Sequence, residues 1–405
     1  MIYIMDDFNF RFVVLSDIHA TDVDSNGEDL ISYVSTKNTE DSNNPFLALK
    51  RTIEDEKPID AIMCAGDISY QANKSGLNYA WKYLNELKES TTLNRLYAVN
   101  GNHDIDSRYI ESAYDPREMV QSLEPKLPIG CKEGYLNYWA ENFHVHYCTE
   151  KRVRVVMLNT AAFHGGGKDY SSEMERGRVT TVTLERLRKA LVDFSPEPKI
   201  NILLCHHHPR RNNTIDNKDY SEMIGGDSLL ELLNSEDVGG GWLVVHGHKH
   251  HPKIDMLDDV AVLSAASFSF QGHSNISNQF HLVEMCLNDA ESLDIEIAGT
   301  VKSWTWDSAG RVWRKAILGT TELSHSCGFG LHENTKKLVS KVHEYLSSNP
   351  REYVLWDRVV DEIPGLKYIN DQQYLKLKDK LKKNHNIIIL DMDKRPHQVG
   401  YSCEE

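Results

Sequence analysis

No apolar run in the sequence approaches the roughly 18–20 residues that a membrane helix needs, so no segment reads as a bilayer span. A secretory opening is missing as well. Residues 1–5 are apolar, but Asp6 and Asp7 follow at once, with neither a basic region nor sufficient length. The seven cysteines are odd in number and scattered, and no two share a CxxC spacing. That excludes a paired disulfide framework and a thiolate zinc site, and a reducing, cytoplasmic setting is expected. Positive charge is scarce: 45 Lys and Arg face 60 Asp and Glu, a net of −15. From Arg311 onward 16 basic residues outnumber 13 acidic ones, a net of +3, which leaves −18 on the first 310 residues. A body that acidic repels the phosphates a nonspecific nucleic-acid binder must neutralise. Internal repeats and low-complexity tracts are absent.

What remains is a chain of 405 residues, 40% hydrophobic and 26% charged, long enough for one large domain and a smaller appendage. Six short apolar runs, at 11–15, 61–65, 96–99, 153–158, 200–204 and 242–245, read as buried strands. Helical patterns around 77–87, 184–194 and 228–233 lie between them, so the expected class is α/β. All six are followed within a few residues by Asp, Asn or His, and five of them supply the candidates for a site. In open α/β sheets ligands bind beyond the carboxyl ends of strands. One cleft should therefore collect Asp17, His19, Asp67, Asn102, His103, His207, His248 and His250.

Residues 105–150 interrupt the strand order with seven aromatics and three prolines, and read as an inserted cap. After His250 come alternating segments expected to form antiparallel strands. From Leu331 the texture changes to three amphipathic helices (about 333–347, 353–362 and 370–383) followed by a terminal hairpin, a winged-helix-like order. Lys376, Lys378, Lys380, Lys382 and Lys383 crowd its third helix. The expected domains are thus 1–325 and 331–405.

Asp, His and Asn donors suit hard-to-borderline divalent cations. Seven of them are too many for one catalytic zinc, which takes about three protein ligands and a water. They suit two ions sharing a carboxylate, about 3.5–4 Å apart, which clamp a phosphate and acidify a bridging water.

The order Asp17-x-His19, Gly66-Asp67, Gly101-Asn102-His103-Asp104, His207-His208-Pro209 and Gly247-His248-Lys249-His250 resembles the calcineurin-like metallophosphoesterase superfamily. The resemblance implies an αββα sandwich of two sheets. It implies one metal on Asp17, His19, Asp67 and His250, and a second on Asp67, Asn102, His207 and His248, with Asp67 bridging. Manganese, iron and zinc all fit such donors. His103 then stands where the family protonates a leaving group or stabilises charge, and Asp104 where it orients that histidine. His206 and His208 are read as neighbours of the ligand His207, and His164 and His246 as structural or rim residues. Gly66-Asp67 continues as Ile68-Ser69-Tyr70 and lacks the Asp-Arg-Gly of the protein serine/threonine phosphatases. The expected activity is hydrolysis of a phosphodiester, a nucleotide or similar small diester. An SbcD-like nuclease, gripping DNA or RNA through the basic C-terminal domain, and a noncatalytic sensor or scaffold stand as alternatives. A protein partner or oligomer through that domain is left open.

Overall fold

The computed structural model describes residues 9–23, 31–38, 43–166, 175–193, 200–211, 221–272, 277–319, 322–348, 353–392 and 395–402. Its first sheet is built on three parallel strands, β1 (Asn9–Leu15), β2 (Ala61–Cys64) and β3 (Arg95–Ala98). Its second holds β4 (Phe143–Cys148), β5 (Val153–Leu158), β6 (Ile200–Leu204), β7 (Trp242–His246), β8 (Lys253–Leu257) and β9 (Val260–Ser264) in the order β4-β5-β6-β7-β9-β8. The chain then returns to the first sheet through β10 (Gln279–Cys286), β11 (Gly299–Asp307), β12 (Val312–Lys315) and β13 (Cys327–Phe329). These four are antiparallel additions, giving β12-β11-β10-β1-β2-β3 with β13 beside β11. Helices α1 (Pro45–Glu54) and α2 (Lys74–Lys88) connect strands of the first sheet. The short α3 (Glu118–Gln121) and α4 (Lys132–Ala140) precede β4, and α5 (Thr181–Val192) and α6 (Gly226–Leu233) connect strands of the second. A last helix of the sandwich, α7 (Leu287–Leu293), follows β10.

The apolar runs are continuous because the central strands are buried on both faces. Strand residues alternate between two cores with the period of two that a pleat imposes. Val153, Val155, Ile202, Leu204, Leu243 and Val245 join Val13 and Ile62 of the first sheet in the core between the layers. Val156, Leu203 and Val244 face the other way, onto Leu187 of α5 and Leu229 of α6. The first sheet has its own helix: Asn73 caps α2 through Gly76 N (2.7 Å), and Leu77, Ala80, Trp81, Leu84 and Leu87 make its buried stripe. The result is the expected αββα sandwich. The stretch 105–150 divides in two. Residues 105–131 carry loops and α3, whereas α4 packs on β4, and β4 pairs antiparallel with β5 as the edge strand of the second sheet. Its sequence, FHVHYC, alternates apolar residues with histidines, as a half-buried edge strand does.

Beyond Phe329 the chain builds α8 (Thr335–Ser347), β14 (Val354–Leu355), α9 (Trp356–Glu362), α10 (Asp371–His385), β15 (Ile387–Met392) and β16 (Arg395–Tyr401), with the small sheet ordered β14-β16-β15. Leu338, Val342, Val359, Leu377 and Leu381 form its core, which also takes in Ala290 and Ala298 of the sandwich. Asn370 starts α10 with a capping box to Gln373 and donates to Ile254 O (3.4 Å), tying this helix to the second sheet. Among the described residues no helix is long and apolar enough to cross a membrane, and the six cysteines are free.

Candidate metal centre

The loops leaving β1, β2, β3, β6 and β7 meet at the carboxyl ends of those strands. Backbone bonds lock them together: Asp17 N donates to Gly66 O (3.0 Å) and His19 N to Asp67 O (2.9 Å). His248 N donates to both oxygens of Asp17 (3.1 Å each). Asp17, His19, Asp67, His248 and His250 all have positive φ, between 49° and 77°. Non-glycine residues reach that region at a cost, and such strain gathers at functional sites. The motif glycines are there for close approach. A Cβ on Gly101 would lie 2.1 Å from Asp67 Oδ1, and one on Gly247 would lie 2.3 Å from Asp17 Oδ2.

Asp67 sits at the middle of the cluster. On one side, Asp17 Oδ1 is 3.2 Å from His250 Nε2, and His19 Nε2 lies 3.2 Å from His250 Nε2 and 3.8 Å from Asp67 Oδ2. On the other, His206 Nε2 lies 3.3 Å from Asp67 Oδ2 and 3.1 Å from Asn102 Oδ1. The ring nitrogens of His206, His207 and His248 can all be placed within 4.8 Å of one another. His206 Nδ1 is 2.8 Å from Ala65 O, which can only accept, so Nδ1 donates and Nε2 presents a lone pair. With the ring neutral, a lone pair, a carboxylate oxygen and an amide oxygen would face one another, an arrangement that a shared proton or a cation holds together. His207 Nε2 and His248 Nε2 are buried with no hydrogen-bond partner. An inward-facing set of unshared lone pairs is what cations would satisfy, and nitrogen and oxygen donors of this kind fit divalent transition metals.

Electrostatics agree with that reading. Burial pushes the Asp17 and Asp67 carboxyls up, but the facing histidines outweigh it. His250 and His206 hold Asp17 below the ordinary range, and His206, His103 and His19 hold Asp67 well below it. Burial keeps His19, His207 and His248 well below the usual imidazole value, so they are neutral, as ligands must be. His206 goes the other way. Burial opposes its charge, yet Asp67 raises it to about 9; the gap between Nε2 and the carboxylate that favours a proton favours a metal ion equally.

His103 stands beside this cluster, its ring centroid 4.7 Å from that of His19. Its Nδ1 faces Gln71 N (3.3 Å), so Nδ1 accepts and the proton of the neutral ring is on Nε2. Burial lowers its basicity against the pull of Asp67. Asp104 is placed elsewhere than on that ring. Its carboxylate accepts from Ile68 N, Ser69 N, Gly101 N and Ser69 Oγ, at 2.7–3.1 Å, beneath the Asp67 loop. Burial and the nearby Asp67 raise Asp104 to about 6.

All nine expected site residues are therefore brought together. His206 joins them beside His207 and His248, although the run His206-His207-His208 hides it. The sequence holds no signal for Thr160, whose Oγ1 is 2.8 Å from His207 Nδ1, or for Phe270, whose ring lies 4.7 Å from that of His19. His246 Nδ1 lies 3.0 Å from Gly247 O and His164 Nε2 2.9 Å from Arg176 O, both engaged with backbone.

An αββα sandwich with a buried Asp–His–Asn cluster at its strand ends defines a class of metal-dependent hydrolases. A profile of the calcineurin-like phosphoesterases matches residues 10–252, and the chain belongs to that family. Membership implies a metal-dependent phosphoesterase. Similar solved structures include GAP50, the anchor in the inner membrane complex of Plasmodium, at 14% identity and TM-score 0.41 over 73% of this chain and 84% of that one. Purple acid phosphatase PPD1 from yellow lupin seeds is also 14% identical, with TM-score 0.45 over 74% of this chain and 52% of its own length. Vacuolar protein sorting 29 from Cryptosporidium parvum is 12% identical, with TM-score 0.31 over 74% and 93%. A comparison with curated protein sequences found no match.

Proposed function

We propose that the chain is a two-metal phosphodiesterase acting on a nucleotide or a similarly small diester. The observation that carries this reading is the convergence of donors on Asp67 from both sides. Asp17, His19 and His250 would hold one ion with Asp67. Asn102, His207 and His248 would hold the other, and His206 joins them, since its Nε2 faces both Asp67 and Asn102. Two divalent ions supply positive charge to the phosphoryl group and acidify water at neutral pH. The chain's own residues do the rest. Asp67, ionised despite burial, sets the spacing of the two halves of the site. His103, with its proton on Nε2, donates to a developing leaving-group oxygen or to the phosphoryl group. Asp104 keeps the loops of Asp67 and Asn102 in register.

Preference for a diester is supported by the missing Asp-Arg-Gly after Gly66-Asp67, and a small substrate by the acidic body. Purified protein with manganese should hydrolyse bis-p-nitrophenyl phosphate faster than p-nitrophenyl phosphate, with cyclic nucleotides and DNA in the same panel. A faster monoester reaction would overturn the diester assignment, and no turnover with two ions bound would favour a sensor or scaffold.

The nuclease reading draws on one observation of its own. The terminal unit has the helix–strand–helix–helix–strand–strand order of a winged helix, and its third helix leaves Lys376, Lys382 and Lys383 exposed. Lys383 pairs with Asp379 and Lys378 with Asp391, however, which blunts the positive face. Changing Lys376, Lys380 and Lys383 to Glu should leave rates on small diesters untouched. DNA cleavage that collapses in this variant, with a salt dependence flattened by about one unit for each phosphate no longer neutralised, would favour the nuclease.

A further inference from the structure

Far from the metal centre, a cavity of about 460 Å³ lies where the C-terminal unit meets the first sheet. Its position follows from register. Glu284 of β10, on its wall, pairs with Arg11 of β1, six residues before Asp17, which places the wall about 20 Å from the metal ligands at roughly 3.3 Å per strand residue. The volume lies in the range of small-molecule sites, and junctions between domains are where such sites form.

One side of the cavity is apolar, with Val301 and Leu318 from the sandwich and Trp356, Val360, Leu366 and Ile369 from the C-terminal unit. Most charges on its wall are already engaged with residues around it. Lys302 binds Glu56 (2.8 Å), Lys367 binds Asp289 (3.2 Å), and Arg11 lies 3.7 Å from Glu284. Asp371 accepts from Ser324 N and Oγ (3.0 and 2.6 Å), and burial raises its carboxyl above the ordinary value. Arg395 differs. Its Nε is buried and has no hydrogen-bond partner, and no described carboxylate pairs with its guanidinium. A guanidinium is always charged and cannot shed the unmet donor by losing a proton. A buried donor without an acceptor is expensive, so an oxygen belongs there.

We propose that this cavity binds a small amphipathic anion, a carboxylate or phosphate on a flat apolar body, with its oxyanion on Arg395 and its body against Trp356 and Val360. Such a ligand meets the unpartnered guanidinium and fills the apolar side together. Because Val301 of β11 and Val360 of α9 both wall the cavity, a ligand that fills it would also fix the C-terminal unit on the sandwich.

The test titrates the metal-loaded full chain by calorimetry with benzoate and with phenylphosphonate, using benzyl alcohol as the uncharged control. At least one anion should bind saturably and benzyl alcohol much more weakly; which anion binds tighter separates a carboxylate from a phosphate ligand. Arg395→Gln should weaken that binding at least about tenfold, the scale of a charge-assisted hydrogen bond. Val360→Phe, which fills the cavity without altering charge, should do the same, so the proposal is tested even if one variant is misfolded. Asp67→Asn should leave the binding in place. Absence of saturable binding, equal affinity for benzyl alcohol, indifference to both cavity variants, or loss in Asp67→Asn would each overturn it.

Discussion

Replacing Gly101 by alanine adds one methyl at the tightest point of the site. That Cβ would lie 2.1 Å from Asp67 Oδ1, 2.6 Å from Asp67 N and 2.8 Å from Asp67 Cγ. Non-bonded heavy atoms rest at about 3.5 Å, so Asp67 and Gly101 must separate by roughly 1 Å or more. Neither can yield alone. Gly101 N is held by Asp104 Oδ2 (2.9 Å), and Asp67 Oδ1 by His103 N (2.8 Å). The displacement therefore reaches the shared carboxylate and His103 together. A shift of about 1 Å at reacting groups costs on the order of 10²-fold in rate, so Gly101→Ala should fall at least that far on bis-p-nitrophenyl phosphate. Plasma mass spectrometry should find fewer than two ions per chain. Gly239→Ala supplies the contrast, since it has a φ of +69° but nothing within 4 Å of its Cβ. It should cost about 1–2 kcal/mol of stability and leave turnover unchanged. If Gly101→Ala kept two ions and stayed within about threefold of the parent rate, the placement of Asp67 between two ions would be refuted.

His103→Ala should keep both ions yet slow hydrolysis about 10²–10⁴-fold, less for p-nitrophenolate than for poorer leaving groups. Equal losses on both would make His103 a charge-stabilising residue. His206→Ala should reduce the metal content toward one ion per chain, because Nε2 faces both Asp67 and Asn102; full occupancy in that variant would leave His207 as the ligand expected from sequence. Arg154→Met tests the scaffold. The buried guanidinium binds Asn201 Oδ1 (2.9 Å), Leu191 O (3.1 Å) and Val238 O (3.0 Å) and lies over Trp242. Leaving those acceptors unmet should cost about 3–5 kcal/mol. Thermal unfolding within about 1 °C of the parent would contradict this.

The sequence determined by itself that β1, β2, β3, β5, β6 and β7 exist and that their carboxyl ends carry the chemistry. Strands buried on both faces must be apolar throughout, and an Asp, Asn or His directly after such a run has few reasons to be there except a ligand. The short motifs were equally legible, because each needs its glycine for a close approach that no side chain permits, as at Gly101 and Gly247. Other features were decided only by packing. β4 alternates apolar residues with histidines, and packing decides that it closes the second sheet, antiparallel beside β5, rather than belonging to a separate insertion. His206 faces Asp67 because the turn after β6 aims it there, and nothing in three consecutive histidines distinguishes one ring from the next. Asp104 serves the backbone of residues 68, 69 and 101, while Gln71 N meets the His103 ring, since a left-handed backbone at Gln71 (φ 46°) turns that N–H inward. The unpartnered cation of the interdomain cavity, Arg395, is one arginine among many in sequence. Only the fold decides that Glu56 and Asp289 reach its neighbours Lys302 and Lys367, and that no described carboxylate reaches Arg395.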